Sequence, residues 1–293
     1  MKTKAISRDA FNVFNYLLLT VLLIACIYPF YYIFIYSISL PPEAAKGIYL
    51  LPGGFTLTNY ARVLALPGIF DATVITVGRT VIGTIVTVAC CSMLAFLMSK
   101  REMYLRTFLY RVLIITMYFN AGLIPYYLTL KMYHLNQSFL LYILPGAVSA
   151  FNVILIKTFI EQLPPSLEES AKLDGAGYFK IFVKIIFPLS MPIVATIAVF
   201  SAVGQWNYWV DNYLFITNPK LKTLQLILYE FLTQTQRIAQ AARQQGSGQA
   251  VFEMTPAAVR MTITMVVTLP IIFVYPFLQK YFVKGLMLGA IKG

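Results

Sequence analysis

The sequence predicts an all-α integral membrane protein of six transmembrane helices, and three observations carry that prediction. Of its 293 residues 59% are hydrophobic and only 12% charged, about half the charged share of an ordinary soluble domain. Apolar runs of about 20 residues, the length that crosses a bilayer as a helix, recur along the whole chain. The mean hydropathy is +0.74, and the charges gather in the segments between the runs.

In order, the runs lie at about 14–38, 72–98, 108–130, 139–159, 181–203 and 261–281. The start, MKTKAISRD, is short and basic, but the run behind it is too long for a cleaved signal core and has no small-residue cleavage site, so it reads as a retained span. Six is even, which puts both ends on one side. Segments on that side carry 14 lysines and arginines against eight on the other, and the positive-inside rule makes the termini cytoplasmic. Most of the +12 formal charge is thereby topology. A nucleic-acid binder would instead need a clustered basic face on a water-facing domain. Cys26, Cys90 and Cys91 fall inside apolar runs, where thiols act as small hydrophobes rather than as disulfide or metal partners. One histidine, His134, and no Cys-x-x-Cys argue against zinc.

Two outer segments are long. Residues 41–71 hold Pro-Pro, Pro-Gly-Gly and Pro-Gly, which are turn signals. Residues 206–260 end near QAARQQGSGQA (240–250), a docking surface for an external partner or a disordered loop. Arg79 is a charge within the second span. It either snorkels toward the headgroups or serves a pathway or an inter-subunit contact. Asn120 and Asn152 are polar groups within spans three and four, facing a wet path or bonding helix to helix.

Between the fourth and fifth spans lies a polar island, residues 163–192 (LPPSLEESAKLDGAGYFKIFVKIIFPLSMP). Pro164-Pro165 stops the preceding helix, and Ser166 with Glu169 fits a capping box that starts a new one. Asp174-Gly175 ends it, glycine taking the left-handed conformation without strain. Leu167, Ala171 and Leu173 mark an apolar side. So short a helix is marginal alone, so it either docks on a partner or is a surface helix of an ordinary loop.

The residues Glu169-Ser170-Ala171-x-x-Asp174-Gly175-Ala176, followed by Ile185-x-x-Pro188-Leu189-x-x-Pro192, resemble the cytoplasmic coupling motif of ABC importer permeases, E-A-A-x-x-D-G-A and then I-x-x-P-L-x-x-P. Ser170 stands where the motif has its first alanine, at the second position. Residues 119–125 (FNAGLIP), 144–152 (LPGAVSAFN), 203–211 (VGQWNYWVD) and 275–293 (YPFLQKYFVKGLMLGAIKG) are similar to the carbohydrate-uptake branch, the smaller permease of maltose-type importers. Within it the likeness leans to the subgroup for complex oligosaccharides and uronate polymers such as alginate. The resemblance implies a type I ABC importer permease fold: one transmembrane domain over 1–293, with a core at about 72–281, a coupling helix at about 166–174, an outer loop at about 206–260 and a cytoplasmic tail at 282–293. It implies as partners a second homologous permease, two ATPase subunits and an extracytoplasmic solute-binding protein, in the bacterial cytoplasmic (inner) membrane. ATP and Mg then belong to the ATPase subunits, with no cofactor bound by this chain. Glu169, Ser170, Ala171, Asp174, Gly175 and Ala176 are the implied ATPase contact, and the tail reaches the same interface.

The sequence agrees with a transport role, having no G-x-x-x-x-G-K-[ST] loop for nucleotide and no nucleophile beside a base. Sugar recognition needs aromatic faces for pyranose rings and amides or hydroxyls for ring oxygens. Gln205, Trp206, Asn207, Tyr208 and Trp209 offer these at the outer end of the fifth span, where an interfacial aromatic belt is the competing account. Arg79 and the outer basic surplus suit an acidic, uronate-type oligosaccharide, and a neutral one stays open. An ATP-independent secondary transporter would show ionisable residues paired across spans, and Arg79 is the lone charge well inside a run, Arg111, Lys157, Lys184 and Lys280 lying within three residues of run ends.

Overall fold

The apolar runs fold as helices, and glycine, proline and asparagine set where they break. A computed structural model describes the backbone of residues 2–47, 50–233 and 255–290, with side chains from 11 to 274 in those stretches. Two compact units are described, residues 1–67 with 228–269, and residues 68–227 with 270–293. The stretch 240–250 lies outside the described residues.

In the first unit, α1 (Lys2–Ser37) presents apolar side chains to its surroundings over most of its length. Its C-terminal end is the exception. Ile35 and Tyr36 pack with Ala44 of α2 (Pro41–Ala45) and Ala258 of α14 (Pro256–Ala290). Behind it the chain turns through a bridge between Ser39 and Phe55. Asn59 of α3 (Thr58–Leu64) fixes that turn, donating from Nδ2 to the carbonyls of Ser37 and Ser39 at 2.9 Å each.

The second unit is arranged on α4 (Ile69–Ser99). Ala72, Thr76, Arg79, Gly83, Thr87, Cys91 and Ala95 are buried along it. That spacing of three and four draws one stripe of mostly small side chains, against which α7 (Ala150–Ile160) and α11 (Met191–Asn207) pack closely. Small residues permit such approach between membrane helices, where apolar burial alone gives no drive.

Three described helices are long and apolar enough to cross a membrane, over Phe11–Ser37, Ile69–Ser99 and Pro256–Val274. The expected continuous runs elsewhere are broken. Run 108–130 divides into α5 (Arg106–Tyr118) and α6 (Leu123–Met132), because Phe119 is extended and Gly122 takes φ 83°. Run 139–159 opens as a short 3-10 turn (Phe139–Tyr142), loses helix across Pro145-Gly146, and resumes as α7. Run 181–203 begins with α9 (Tyr178–Ile181), a π-helical turn (Phe182–Ile186) and α10 (Phe187–Leu189). It then bends by 81° at Ser190 before α11. Pro188 and Pro192 flank that bend, each lacking the amide that would continue the ladder. The unit is completed by α12 (Val210–Phe215), a 3-10 turn (Pro219–Leu221) and the start of α13 (Leu224–Thr233).

The short helix of the polar island is present as α8 (Ser166–Leu173). Its start differs from the expected capping box. Pro165 already has helical dihedrals, so Ser166 lies inside the helix, and no side chain caps it. The amides of Leu167, Glu168 and Glu169 are satisfied by the carbonyls of Pro164 and Pro165 instead. Its end is as expected. Gly175 takes φ 76°, the Gly175 amide donates to Lys172 O at 3.0 Å and the Ala176 amide to Ala171 O at 2.9 Å, the paired bonds of a Schellman motif.

Candidate functional site

The breaks converge on a cavity of about 770 Å³ in the second unit, within the 300–1,000 Å³ of ordinary ligand pockets. Asn120 and Tyr126 reach it from the α5–α6 break, Tyr142 and Gly146 from the interrupted fourth run, and Gln205 and Tyr208 from the end of α11. Asn152, Ser149, Thr87 and Ser201 add amide and hydroxyl groups. Straight helices would not expose these backbone bends. The same glycines and prolines that interrupt the apolar runs therefore open the cavity.

Arg79 and Asp211 are the charged residues lining it, and they hold each other. Arg79 Nη2 meets Asp211 Oδ2 at 2.8 Å, while Nη1 reaches Oδ1 at 3.3 Å. Nη1 also donates to the Tyr208 carbonyl at 2.9 Å and Nε to Gln205 Oε1 at 3.2 Å. The guanidinium carbon stands 4.4 Å from the centre of the Tyr142 ring, a cation–π contact. Arg79 is only 2% exposed. The snorkelling alternative is thus corrected: Arg79 points into the unit, because a bidentate carboxylate is within reach there.

Further bonds lock the surroundings. Gln205 Nε2 donates to the Tyr142 carbonyl at 3.1 Å, and a Cβ at Gly83 would come within 2.7 Å of that nitrogen. Only glycine at 83 leaves Gln205 its place. Tyr142 Oη donates to the Leu221 carbonyl at 2.6 Å and accepts from Asn212 Nδ2. Asn212 Oδ1 accepts the Thr223 amide at 3.0 Å.

Of the residues expected on a substrate path, Arg79, Asn120, Asn152 and Gln205 line the cavity. Trp206, Asn207 and Trp209 do not. Trp206 lines a separate apolar groove with Val77, Val81 and Pro270. Asn207 Oδ1 accepts from Gln225. Trp209 stands edge-on to Tyr213 at 5.8 Å. Local sequence put these side chains together, but consecutive residues around a helix end point in different directions. Tyr208, from the same expected stretch, does line the cavity, whereas Tyr126, Tyr142 and Asp211 were missed. The sign for Asp211 was available, since a buried arginine calls for a carboxylate.

On α8, Glu169, Ser170, Asp174 and Gly175 face outward, whereas Ala171 is buried and Ala176 half-buried. Ala171 packs in a cluster with Phe96, Met98, Ile156 and Ile181. Leu173, expected on the apolar side, is 90% exposed, because two residues along a helix carry it just over half a turn from Ala171. Ion pairs fasten α8 to the turn after α4: Lys100 with Glu168, and Lys172 with Glu102 at 3.1 Å. Glu102 is held below its ordinary pKa by its own backbone first and Lys172 second, and Lys172 is held above its own chiefly by the Glu102 hydrogen bond.

The family model for the binding-protein-dependent transport system inner membrane component matches residues 88–287. The chain is 35% identical to the polygalacturonan/rhamnogalacturonan transport system permease protein YtcP of Bacillus subtilis (strain 168), over 97% of this chain and 98% of that protein. It is 27% identical to the melibiose/raffinose/stachyose import permease protein MelC of the same organism, over 92% and 94%. Among solved structures, a bacterial ABC transporter involved in the import of the acidic polysaccharide alginate superposes with TM-score 0.84 at 29% identity, covering 94% of this chain and 98% of its counterpart. The chain belongs to the binding-protein-dependent transport system inner membrane components, the membrane permeases of ABC importers.

Proposed function

We propose that this chain is the permease subunit of an ATP-driven importer that moves an oligosaccharide, of acidic uronate type, across the cytoplasmic membrane by alternating access. The observation that carries the proposal is the cavity of amides, hydroxyls and tyrosines inside a helical membrane unit. Relatives named for polygalacturonan and a structural counterpart named for alginate support the acidic class. Both described units belong to one transmembrane domain of six crossings. The broken runs count as crossings because their exposed backbone lines protein or cavity, and both termini are cytoplasmic. Partners are a second homologous permease, two ATPase subunits carrying ATP and Mg, and an external solute-binding protein. Glu169, Ser170, Asp174 and Gly175 present the outward face of α8 to the ATPase, Ala171 and Ala176 anchor it, and the tail 282–293 adds to that contact. ATP closes the ATPase pair, and the cavity exchanges its opening as a population shift between two states.

A neutral oligosaccharide is the second reading, favoured by one observation: Asp211 neutralises Arg79, so the two charged residues of the wall cancel. The test is the complex expressed with its neighbouring genes and reconstituted in proteoliposomes. Co-purification of an ATPase and ATP-dependent uptake of trigalacturonate, with raffinose as the neutral comparison, is the expected result. No ATPase partner, and uptake indifferent to ATP, would exclude the importer reading.

A further inference from the structure

Tyr126 and Tyr208, and not the tryptophans, have the position and the support for a sugar ring. Both line the cavity, and they approach it from different elements. Tyr126 lies in the first turn of α6, its amide bonded to the Gly122 carbonyl at 3.3 Å. Its ring is braced edge-on by Phe215, 6.3 Å away at 77°, and Phe215 is itself buried and stacked on Tyr127 at 5.0 Å. Tyr208 ends α11, its amide bonded to the Gly204 carbonyl at 3.0 Å and its own carbonyl held by Arg79. Tyr208 is 46% exposed and lines the cavity, so part of it is open to a ligand. An aromatic ring has a negative face, to which the weakly positive C–H bonds of a pyranose are attracted. Amides and hydroxyls of Asn120, Asn152 and Ser149 in the same wall match ring hydroxyls.

We infer that Tyr126 and Tyr208 form a stacking platform for pyranose rings in this cavity, and that the Arg79–Asp211 pair is a positioning element which fixes Tyr208 and Gln205 rather than a cation offered to the sugar. The inference rests on the importer reading. The guanidinium is committed to Asp211, Tyr208, Gln205 and the Tyr142 ring, and its exposure of 2% leaves a carboxylate substrate no room beside it. Recognition by this wall is therefore by ring face and hydroxyl, and it is blind to substrate charge.

The experiment uses the complete complex in proteoliposomes, with trigalacturonate and raffinose as probes and two readouts, uptake and ATP hydrolysis stimulated by the binding protein. Tyr126→Ala and Tyr208→Ala are each expected to lower uptake of the transported probe about 3- to 10-fold, the size of an aromatic face contact, with stimulated hydrolysis unchanged. Tyr126→Phe and Tyr208→Phe keep the ring and should keep uptake. Trp206→Ala, away from the cavity, should leave uptake near wild type. If an alanine variant also lowers hydrolysis, the bulkier Tyr208→Leu replaces it, having volume but no ring face. Full uptake in both alanine variants, or equal loss in the phenylalanine variants, overturns the platform. Wild-type complex that takes up neither probe with ATP overturns the importer reading itself, and the platform with it.

Discussion

Arg79 fits inside α4 because its guanidinium donors meet Asp211, the Tyr208 carbonyl and Gln205, and its face meets the Tyr142 ring. Such a pair is costly to break from one side. Removing either partner leaves an uncompensated buried charge, at about 3–5 kcal/mol, whereas replacing both by apolar groups is often close to neutral. We therefore expect Arg79→Leu and Asp211→Leu each to lower the thermal midpoint of the purified complex strongly. The double variant should be more stable than either single one, giving a large coupling energy in a double-mutant cycle. Additive losses would show that the two groups do not act as a pair. The sequence disclosed Arg79 as an oddity but hid its partner, which follows 132 residues later and read as an ordinary outer charge. The side it faces was legible. Thr76, Gly83 and Thr87 share its stripe on α4, and a polar, small-residue stripe points inward rather than to lipid.

Helix α8 shows which parts of an element are local enough to read. Its glycine stop depends on one dihedral, and Gly175 at φ 76° follows from Asp174-Gly175 in the sequence. Its start depended on competition between Ser166 and two prolines, and the prolines, already helical in φ, prevailed. The broken spans failed to show for another reason: a hydropathy sum over 20 residues is barely lowered by Asn120-Ala121-Gly122 or Pro145-Gly146, yet one such group ends a helix. The tryptophan cluster misled because its composition suited a sugar while its geometry sent both rings elsewhere. Two substitutions at 175 separate strain from contact. A Cβ there meets nothing within 4 Å, so Gly175→Ala carries only the left-handed cost of about 1 kcal/mol and should retain most ATP-driven uptake. Gly175→Trp adds bulk to the outward face of α8 and should insert normally in the membrane but lose coupling. Equal, near-normal uptake in both variants would argue that α8 is not where the ATPase grips.

For the molecule as a whole, the distribution of charge makes a claim that the backbone alone does not. The excess of lysine and arginine on the side of 100–106, 157 and 172–184 is the basis, through the positive-inside rule, for proposing that this side is cytoplasmic. On the same side, Lys100 and Lys172 pair with Glu168 and Glu102 to tie α8 to the turn after α4, while Arg106 and Lys157 both pair with Glu161 at the end of α7. The Lys172–Glu102 and Arg106–Glu161 pairs are exposed enough to contribute little to stability; what Lys172–Glu102 and the less exposed Lys100–Glu168 pair do is hold α8 against the turn after α4. Lys46 and Ser170 are both exposed and fall on opposite sides of the proposed topology. In a variant lacking Cys26, Cys90 and Cys91, a membrane-impermeant maleimide should label Lys46→Cys in intact spheroplasts. Ser170→Cys should react only after the membrane is opened. Replacing the buried Cys91 by alanine rather than serine preserves its apolar contacts in the cluster of Ala95, Ile156 and Ile197. The reverse labelling pattern would place α8 outside the cell, where no ATPase could reach it, and would remove the physical basis for ATP-driven opening of the cavity.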